Sequence, residues 1–556
     1  MTAATRTETK RWWQDPRWIA AGLAVLCVVW LLWGLFGPEP PITVSPATTY
    51  LTAPLAADGL PDYGAALLAA QGPAPKPEDN AAVELLQVMW PMDFDPPDLP
   101  LVCRALGIPH VPPADVLQEP YRNAATKVTL DMYDAAVKRP WTGAEFPALE
   151  AWVVAHEAAL DRLVAAADRP CCWLPSPDLL GPGPQRLAST RLCDGTAVRG
   201  MVRLLLCRAM WHSAAGRHVA AWRDIRAIHR LGRLLAAPKN APQFTLAQIL
   251  ACSLSACADA ALTRRLLGMA DLPADLLAEI RRDLDALGPL PDPVDVVASE
   301  RLMYVDTLVW LARRSPGGRS GRAGVLADVF GAASDPLGMA RPAVVTSLDW
   351  NLALGRTNAR FDALTAATRQ PTFSARQAAI ERLEREVSQR FDVKSRWAAA
   401  GRDCTMIGSR TCRSVFIADY LLASFTRVAS DAFRKGAVAR ASGDLTRTAA
   451  ALAAWKADRA AGEAPYPETL SALVPRYLPA EPLDPFTDKP FIYERRGDGY
   501  LLASVGENGV YDGGDDRKGW IIGGEWQAIE QNVDPDKWDL VVRMPVPPVP
   551  ASAPAP

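Results

Sequence analysis

The chain has 556 residues, too many for one hydrophobic core, and this length suggests about three or four domains. Lys and Arg number 60 against 62 Asp and Glu, a net charge of -2, which excludes the basic excess that a nucleic-acid partner calls for. Hydrophobic residues at 49% with charged residues at 22% exclude a disordered chain and imply a large buried interior.

The first element in chain order is a transmembrane helix. Trp18 to Phe36 reads WIAAGLAVLCVVWLLWGLF, without a charge and long enough to cross a hydrocarbon layer as a helix. Trp18 and Trp33 suit its interfacial ends, with Trp30 set deeper. Arg6, Lys10, Arg11 and Arg17 precede it, and no Lys or Arg follows until Lys76. The positive-inside rule therefore places residues 1–17 in the cytoplasm and the remainder outside, with residues 18–36 as the contact with the membrane. A cleaved signal peptide is the rival reading; against it stand the long apolar run and the poor cleavage signal of Gly37-Pro38-Glu39-Pro40-Pro41. A buried core helix is the third reading of the same run. The Pro-rich stretch 37–60 is expected to extend as a stiff spacer that lifts the body off the membrane.

Residues 61–314 read as a helical body of irregular hairpins. Asp79 or Asn80 can cap a helix with Val83, Leu86 and Trp90 on one face. Trp152, Val153 and Val154 with Leu160, Leu163 and Val164 suit one amphipathic helix. Met201 to Ala237 suits two packed helices separated at Gly216, similar to a tetratricopeptide-type hairpin but without its fixed repeat length. Further helices are expected over 245–267, 272–287 and 294–314. SPGGRSGRAG, residues 315–324, is expected to be a flexible basic loop and a boundary. A second helical section, 325–439, then contains Ser374-Ala375-Arg376-Gln377, a capping-box pattern that opens a charged, solvated helix. Helices over 414–438 and 445–461 follow as separate elements. TTYLTAPLAADGLPDY and PEDNAAVELLQVMWP, near the start of the body, resemble the opening of uncharacterised membrane-anchored bacterial proteins, a resemblance that implies no activity.

Cys27 lies in the anchor, and the other nine cysteines are Cys103, Cys171, Cys172, Cys193, Cys207, Cys252, Cys257, Cys404 and Cys412. An oxidising exterior would permit disulfides and leave an odd thiol over. Cys207, Cys252 and Cys257 fall in apolar helical patterns, where cysteine serves as a small buried hydrophobe. Cys404 and Cys412, flanking a loop-like stretch, form the candidate disulfide.

The region 440–544 is expected to be a small α+β module. Tyr466-Pro467-Glu468 starts a short helix with Leu470, Leu473 and Val474 on its apolar side. Phe491–Arg496 and Tyr500–Val505 read as strands joined by Gly497-Asp498-Gly499 into a hairpin that packs on the preceding helix. The tail 545–556, rich in Pro and Ala, is expected to stay disordered.

In that order YPETLSALVPRYLP, DPFTDKPFIY and GDGYLLASVGENGVYDGG resemble the globular end of the major pseudopilin of type II secretion systems. The resemblance implies a calcium-binding loop over 504–516, held by backbone carbonyls and acidic side chains. Asn508 matches the family's acidic position, and Asp512, Asp515 and Asp516 are the residues that would complete the cage around Ca2+. The same Asn508-Gly509 and Asp512-Gly513-Gly514 also read as plain turn formers. The chain departs from the family at its anchor: around Gly22 it reads GLAVLC and lacks the acid of a prepilin-peptidase site.

Catalytic patterns are sparse. His156-Glu157-Ala158-Ala159-Leu160 lacks the second histidine of a zinc-protease motif. His212, His218 and His229 could converge across the helical hairpin, although His212 and His218 do not share a helix face. Cys171-Cys172 has no redox spacing, the acids around Asp93, Asp95 and Asp98 are broken by prolines into a connector, and Asp349-Trp350-Asn351 reads either as a groove lining or as a capped core tryptophan. The chain reads, all told, as mainly α: a membrane-anchored cell-envelope protein with a structural or protein-interaction role, no catalytic site, and partners among envelope proteins rather than nucleic acid. The alternatives are an accessory of a type II secretion or pseudopilus-like apparatus, and an envelope hydrolase whose site has no sequence signature.

Overall fold

A computed structural model describes residues 16–546 apart from 93, 111–115, 182–185, 190–194, 238–244, 270–271, 289, 291–292, 314–317, 331–343, 392–408, 461, 515–519, 523–524 and 528–538. The fold is mainly helical with a small sheet region. Helix α1, Pro16–Phe36, stands out from the rest with its apolar side chains exposed. By length and composition it is able to cross a membrane.

The body begins with α2 (Tyr63–Gln71), α3 (Ala81–Val88), α4 (Leu99–Leu106) and α5 (Leu130–Lys138). Asn80 caps α3 through its side chain, which accepts from the Ala82 amide at 3.1 Å, as the sequence suggests. The helix expected across Trp152–Val164 is two, α6 (Pro147–Ala155) and α7 (Glu157–Ala167). The break is at His156, whose backbone leaves the helical region at φ -110 and ψ 15 while its ring stacks on Trp152 at 4.3 Å. Helices α8 (Gly195–Ala214) and α9 (His218–Leu235) form the expected hairpin, turning at Gly216 with φ 70. Then come α10 (Thr245–Ala261), which runs into a π-helical turn at Leu262–Leu266, α11 (Ala274–Ala286), α12 (Pro293–Ala312) and α13 (Gly321–Phe330).

The expected loop 315–324 is thus partly helical: Gly318–Ser320 makes a 3-10 turn and Gly321 opens α13. Its remaining residues 315–317 lie outside the described residues. Helix α14 is Trp350–Thr368 and α15 is Phe373–Phe391. The capping residue of α15 is Thr372, whose hydroxyl accepts from the Ala375 amide at 3.2 Å, two positions before the Ser374 of the capping-box pattern.

Helix α16, Arg410–Ala457, runs 48 residues without a break, about 72 Å at 1.5 Å per residue. The two helices expected at 414–438 and 445–461 are therefore one. The residues between them contain Gly443 but no proline, and a mid-helix glycine costs only about 1 kcal/mol, a cost that buried neighbours such as Ala441 and Leu445 offset. Ser409 caps its start, accepting from the Cys412 amide at 3.3 Å.

Helix α16 belongs to two hydrophobic cores. Its N-terminal two thirds, including Ile417, Leu421 and Ala441, pack with α2, α12, α14 and α15 around Trp350, Phe361 and Leu308. Its last third, including Leu445, Ala449 and Leu452, packs with the helices of residues 81–287 around Trp222, Leu163 and Met201. A short 3-10 turn at Leu470–Leu473 follows, then β1 (Leu483–Asp484), β2 (Lys489–Pro490), β3 (Ile492–Arg496), β4 (Gly499–Ser504), β5 (Trp520–Ile522), β6 (Glu525–Gln527) and β7 (Leu540–Met544). β3 and β4 form the expected antiparallel hairpin, with Arg496 opposite Gly499, and β7 pairs with the other edge of β4. Tyr500, Leu502 and Val542 join the helices of residues 81–287 in one core, while Phe486 and Val505 join the other. The expected boundary at residue 440 is consequently crossed by both a helix and two cores, while the other face of the sheet buries a small cluster of its own around Leu501, Ala503 and Val541.

Candidate functional site

The loop between β4 and β7 holds the residues implied by the pseudopilin resemblance. Its described residues 505–514 are a succession of turns in which Gly506, Gly509, Gly513 and Gly514 take φ of 64, 69, 81 and 74, the left-handed region that glycine adopts at little cost. The structure brings Asn508 and Asp512 together: the Asn508 Nδ2 donates to Asp512 Oδ2 at 3.0 Å, and the Asn508 Oδ1 accepts from the Val510 amide at 3.1 Å. Asp515 and Asp516 lie outside the described residues. Two carboxylates that the sequence did not single out organise the loop. Asp484 Oδ1 accepts from the Phe486 amide at 3.0 Å and Oδ2 from the Val505 amide at 2.9 Å. Asp539 Oδ2 accepts from the amides of Asp512 and Gly514 at 2.9 and 2.8 Å. Asp484 and Asp539 meet backbone donors, which is turn chemistry, and Asp512 meets the side-chain amide of Asn508. No group of three or more His, Cys, Asp or Glu positioned for a metal ion occurs among the described residues.

The three histidines of the α8–α9 hairpin occupy separate surroundings. His212 lies against Trp211, with ring centroids 5.2 Å apart. His218 opens α9. His229 faces Asp259 of α10 at 3.7 Å, both 1–2% exposed. Burial pushes His229 down, to about 3, and pushes Asp259 up, to about 7, so the interior favours the uncharged form of each. Nearby Arg208, 2% exposed, instead meets Asp224 with two hydrogen bonds at 3.0 and 2.6 Å and reaches Asp161 at 2.9 Å. The bonds of Arg208 hold α7, α8 and α9 together. Cys207, Cys252 and Cys257 are buried, and the expected partner of Cys412, Cys404, lies outside the described residues.

A dense long-range polar constellation that the sequence does not signal sits where α1 leaves the body. The stretch after α1 is not a free spacer. Glu39 accepts from Arg322 Nη1 and Nη2 at 2.8 and 2.7 Å, from Trp350 Nε1 at 2.9 Å and from the Leu348 amide at 3.0 Å. Arg322 is 1% exposed and lies over the Trp350 ring at 4.9 Å. Burial pushes the Glu39 carboxyl up, but the bonds from Arg322 and Trp350 outweigh it and hold the group below its ordinary value of 4.5.

Asn351 then accepts from the Thr43 amide and donates to the Pro41 carbonyl, both at 2.8 Å, and Asn358 donates to the carbonyls of Ala47 and Thr48. Asp349 caps α14, so the Asp349-Trp350-Asn351 run supplies a cap, a buried tryptophan and a strap for residues 39–48.

The end of α1 is held in the same place. The last carbonyls of a helix have no partner within it. Here Gly34 accepts from Arg413 at 2.6 Å, Leu35 from the Ser347 amide at 2.6 Å, and Phe36 and Gly37 from Arg319 at 3.1 and 2.7 Å. Guanidinium groups at this end also complement the negative pole of the helix dipole. No protein family, characterised protein or solved structure matches the chain.

Proposed function

We propose that the chain is an uncleaved, membrane-anchored protein of the cell envelope, with its bulk outside the cytoplasm and a structural or protein-interaction role. The observation that carries this reading is the bonding of Gly34 to Glu39 into the body. A signal peptide must leave without damage to the mature fold. Cleavage after Phe36 would take from Arg413, Ser347 and Arg319 the carbonyls of Gly34, Leu35 and Phe36, and cleavage beyond Glu39 would also strip Arg322, a fully buried cation, of its carboxylate, where removing one partner of a buried pair costs about 3–5 kcal/mol. Arg6, Lys10, Arg11 and Arg17 support a cytoplasmic N-terminus. The test is to express the chain with a C-terminal tag, extract membranes with alkaline carbonate, and measure the intact mass. Retention in the membrane at the full mass is expected; release into the soluble fraction, or a mass lacking residues 1–36, would overturn the reading.

A second reading, an accessory of a type II secretion or pseudopilus-like apparatus, is favoured by the order of long helix, short 3-10 turn and β3–β4 hairpin, which parallels the resemblance of 440–516. In that reading the stretch Tyr466–Asp516 contacts pseudopilins. Co-purification of a pseudopilin that is lost on substituting exposed hairpin residues such as Asp498 supports it; no association after crosslinking removes it.

A further inference from the structure

The anchor and the body meet at a defined depth. Trp18 to Phe36 spans about 27 Å of helix, close to the ~30 Å of a hydrocarbon layer. Trp18 at one end, and Trp33 and Phe36 at the other, are 61%, 64% and 60% exposed, as aromatic side chains at two membrane interfaces would be. The carbonyls of Gly34 to Gly37 then fall at headgroup level. The groups that bond them, on Arg319, Ser347 and Arg413, belong to the body and fall at the same level.

The body therefore cannot stand off on a spacer. Arg410 and Arg413 are three positions apart in the first turn of α16 and share a helix face. Arg413 reaches inward to the carbonyls of Gly34 and Ser347. Arg410, one turn earlier, is half-buried, and its neighbour Thr411 is exposed. Cations in the first turn face the unfavourable pole of the helix dipole. For Arg413 the two carbonyls offset this, and for Arg410 a phosphate would.

We infer that the face of the body around the anchor's exit, marked by Arg319, Arg410 and Thr411, lies in the headgroup layer of the membrane, where Arg410 binds phospholipid phosphate. Arginine suits this role because its planar guanidinium matches phosphate oxygens and stays charged. This inference rests on the membrane-anchor reading, and the test separates the two.

Photo-crosslinking residues are placed singly at Val28, Thr411 and Asp498 of the full-length chain, reconstituted in vesicles of equal parts phosphatidylcholine and phosphatidylglycerol. Asp498, at the exposed tip of the β3–β4 hairpin, serves as the distant position, because the hairpin packs on the far half of α16, about 50 Å along the helix from Arg413. Val28 and Thr411 are expected to label with lipid and Asp498 is not. Labelling at Val28 without Thr411, or equal labelling at Thr411 and Asp498, overturns the apposed face while leaving the anchor in place. Absence of labelling at Val28 overturns both. Arg410→Glu is expected to reduce labelling at Thr411 several-fold in these vesicles, with Arg410→Lys keeping most of it and circular dichroism unchanged. Undiminished labelling in Arg410→Glu overturns the phosphate contact.

Discussion

The anchor's exit and the loop between β4 and β7 are built around carboxylates that gather donors, yet they differ in where the donors come from. Glu39 takes them from Arg322, Leu348 and Trp350, far along the chain. Asp484 takes them from Phe486 and Val505, and Asp539 from Asp512 and Gly514, all in or beside the same loop. A guanidinium bonded through two nitrogens needs its anion wherever it lies buried, whereas backbone amides in a turn can be met by a nearby side chain, by water or by a slight change of the turn. The exit is thus a tertiary lock and the loop a local fold. The two should respond differently to the same kind of substitution.

Glu39→Ala should have the largest effect. It leaves Arg322 buried without its carboxylate, at a cost of about 3–5 kcal/mol, read as a lowered thermal midpoint of the helical signal in detergent. A midpoint within error of the parent would mean that the exit is not a lock. Asp539→Ala should cost less, about 1–3 kcal/mol for the buried amides it leaves unmet. Its signature is faster hydrogen exchange confined to the loop around Gly514, and exchange spreading into α16 would erase the distinction between local and tertiary.

Acid offers a gentler probe of the exit. Glu39 is held below its ordinary value of 4.5, so the fold favours its ionised form. The stabilisation is present above that value and is lost as pH falls through the lower folded value. Melts across the acid range should show a limb that Glu39→Gln flattens, and an unchanged limb would assign it to other carboxylates. The smallest effect is expected from calcium. With Asp512 already accepting from Asn508 and Asp539 from two amides, calcium in place of chelator should leave the melting midpoint of the full chain unchanged. A rise would mean that Asn508 and Asp512, with Asp515 and Asp516, form a cage after all.

Much of the fold was legible because it is local. Gly497-Asp498-Gly499 between two short strand-forming runs marks the hairpin, and the observed pairing of Arg496 with Gly499 closes it over Gly497-Asp498. Helix spans were legible wherever an apolar stripe met a capping residue, as at Asn80. Two features resisted. The continuity of α16 through Ser442 and Gly443 depends on packing from both cores, and a local weakness in the sequence reads as a break. The pairing of Glu39 with Arg322 spans 283 positions, and nothing in a Pro-rich stretch signals a distant guanidinium. Asp539 was passed over for the same reason in miniature: its partners lie across a loop rather than at helical or strand spacing.

The sharing of α16 between two cores also bears on how the chain acquires its structure as it is made. Residues 81–287 contribute most of one interior, yet their apolar faces stay open until Leu445–Ala454 have been synthesised and Tyr500 and Leu502 of β4 have followed. The second interior likewise waits for Ile417–Ala441. Contacts so far apart in sequence form slowly and leave partly assembled surfaces uncovered. A ribosome-bound chain ending near residue 400 should therefore carry two unfinished interiors at once, and both would close only once α16 and the strands beyond it have been made.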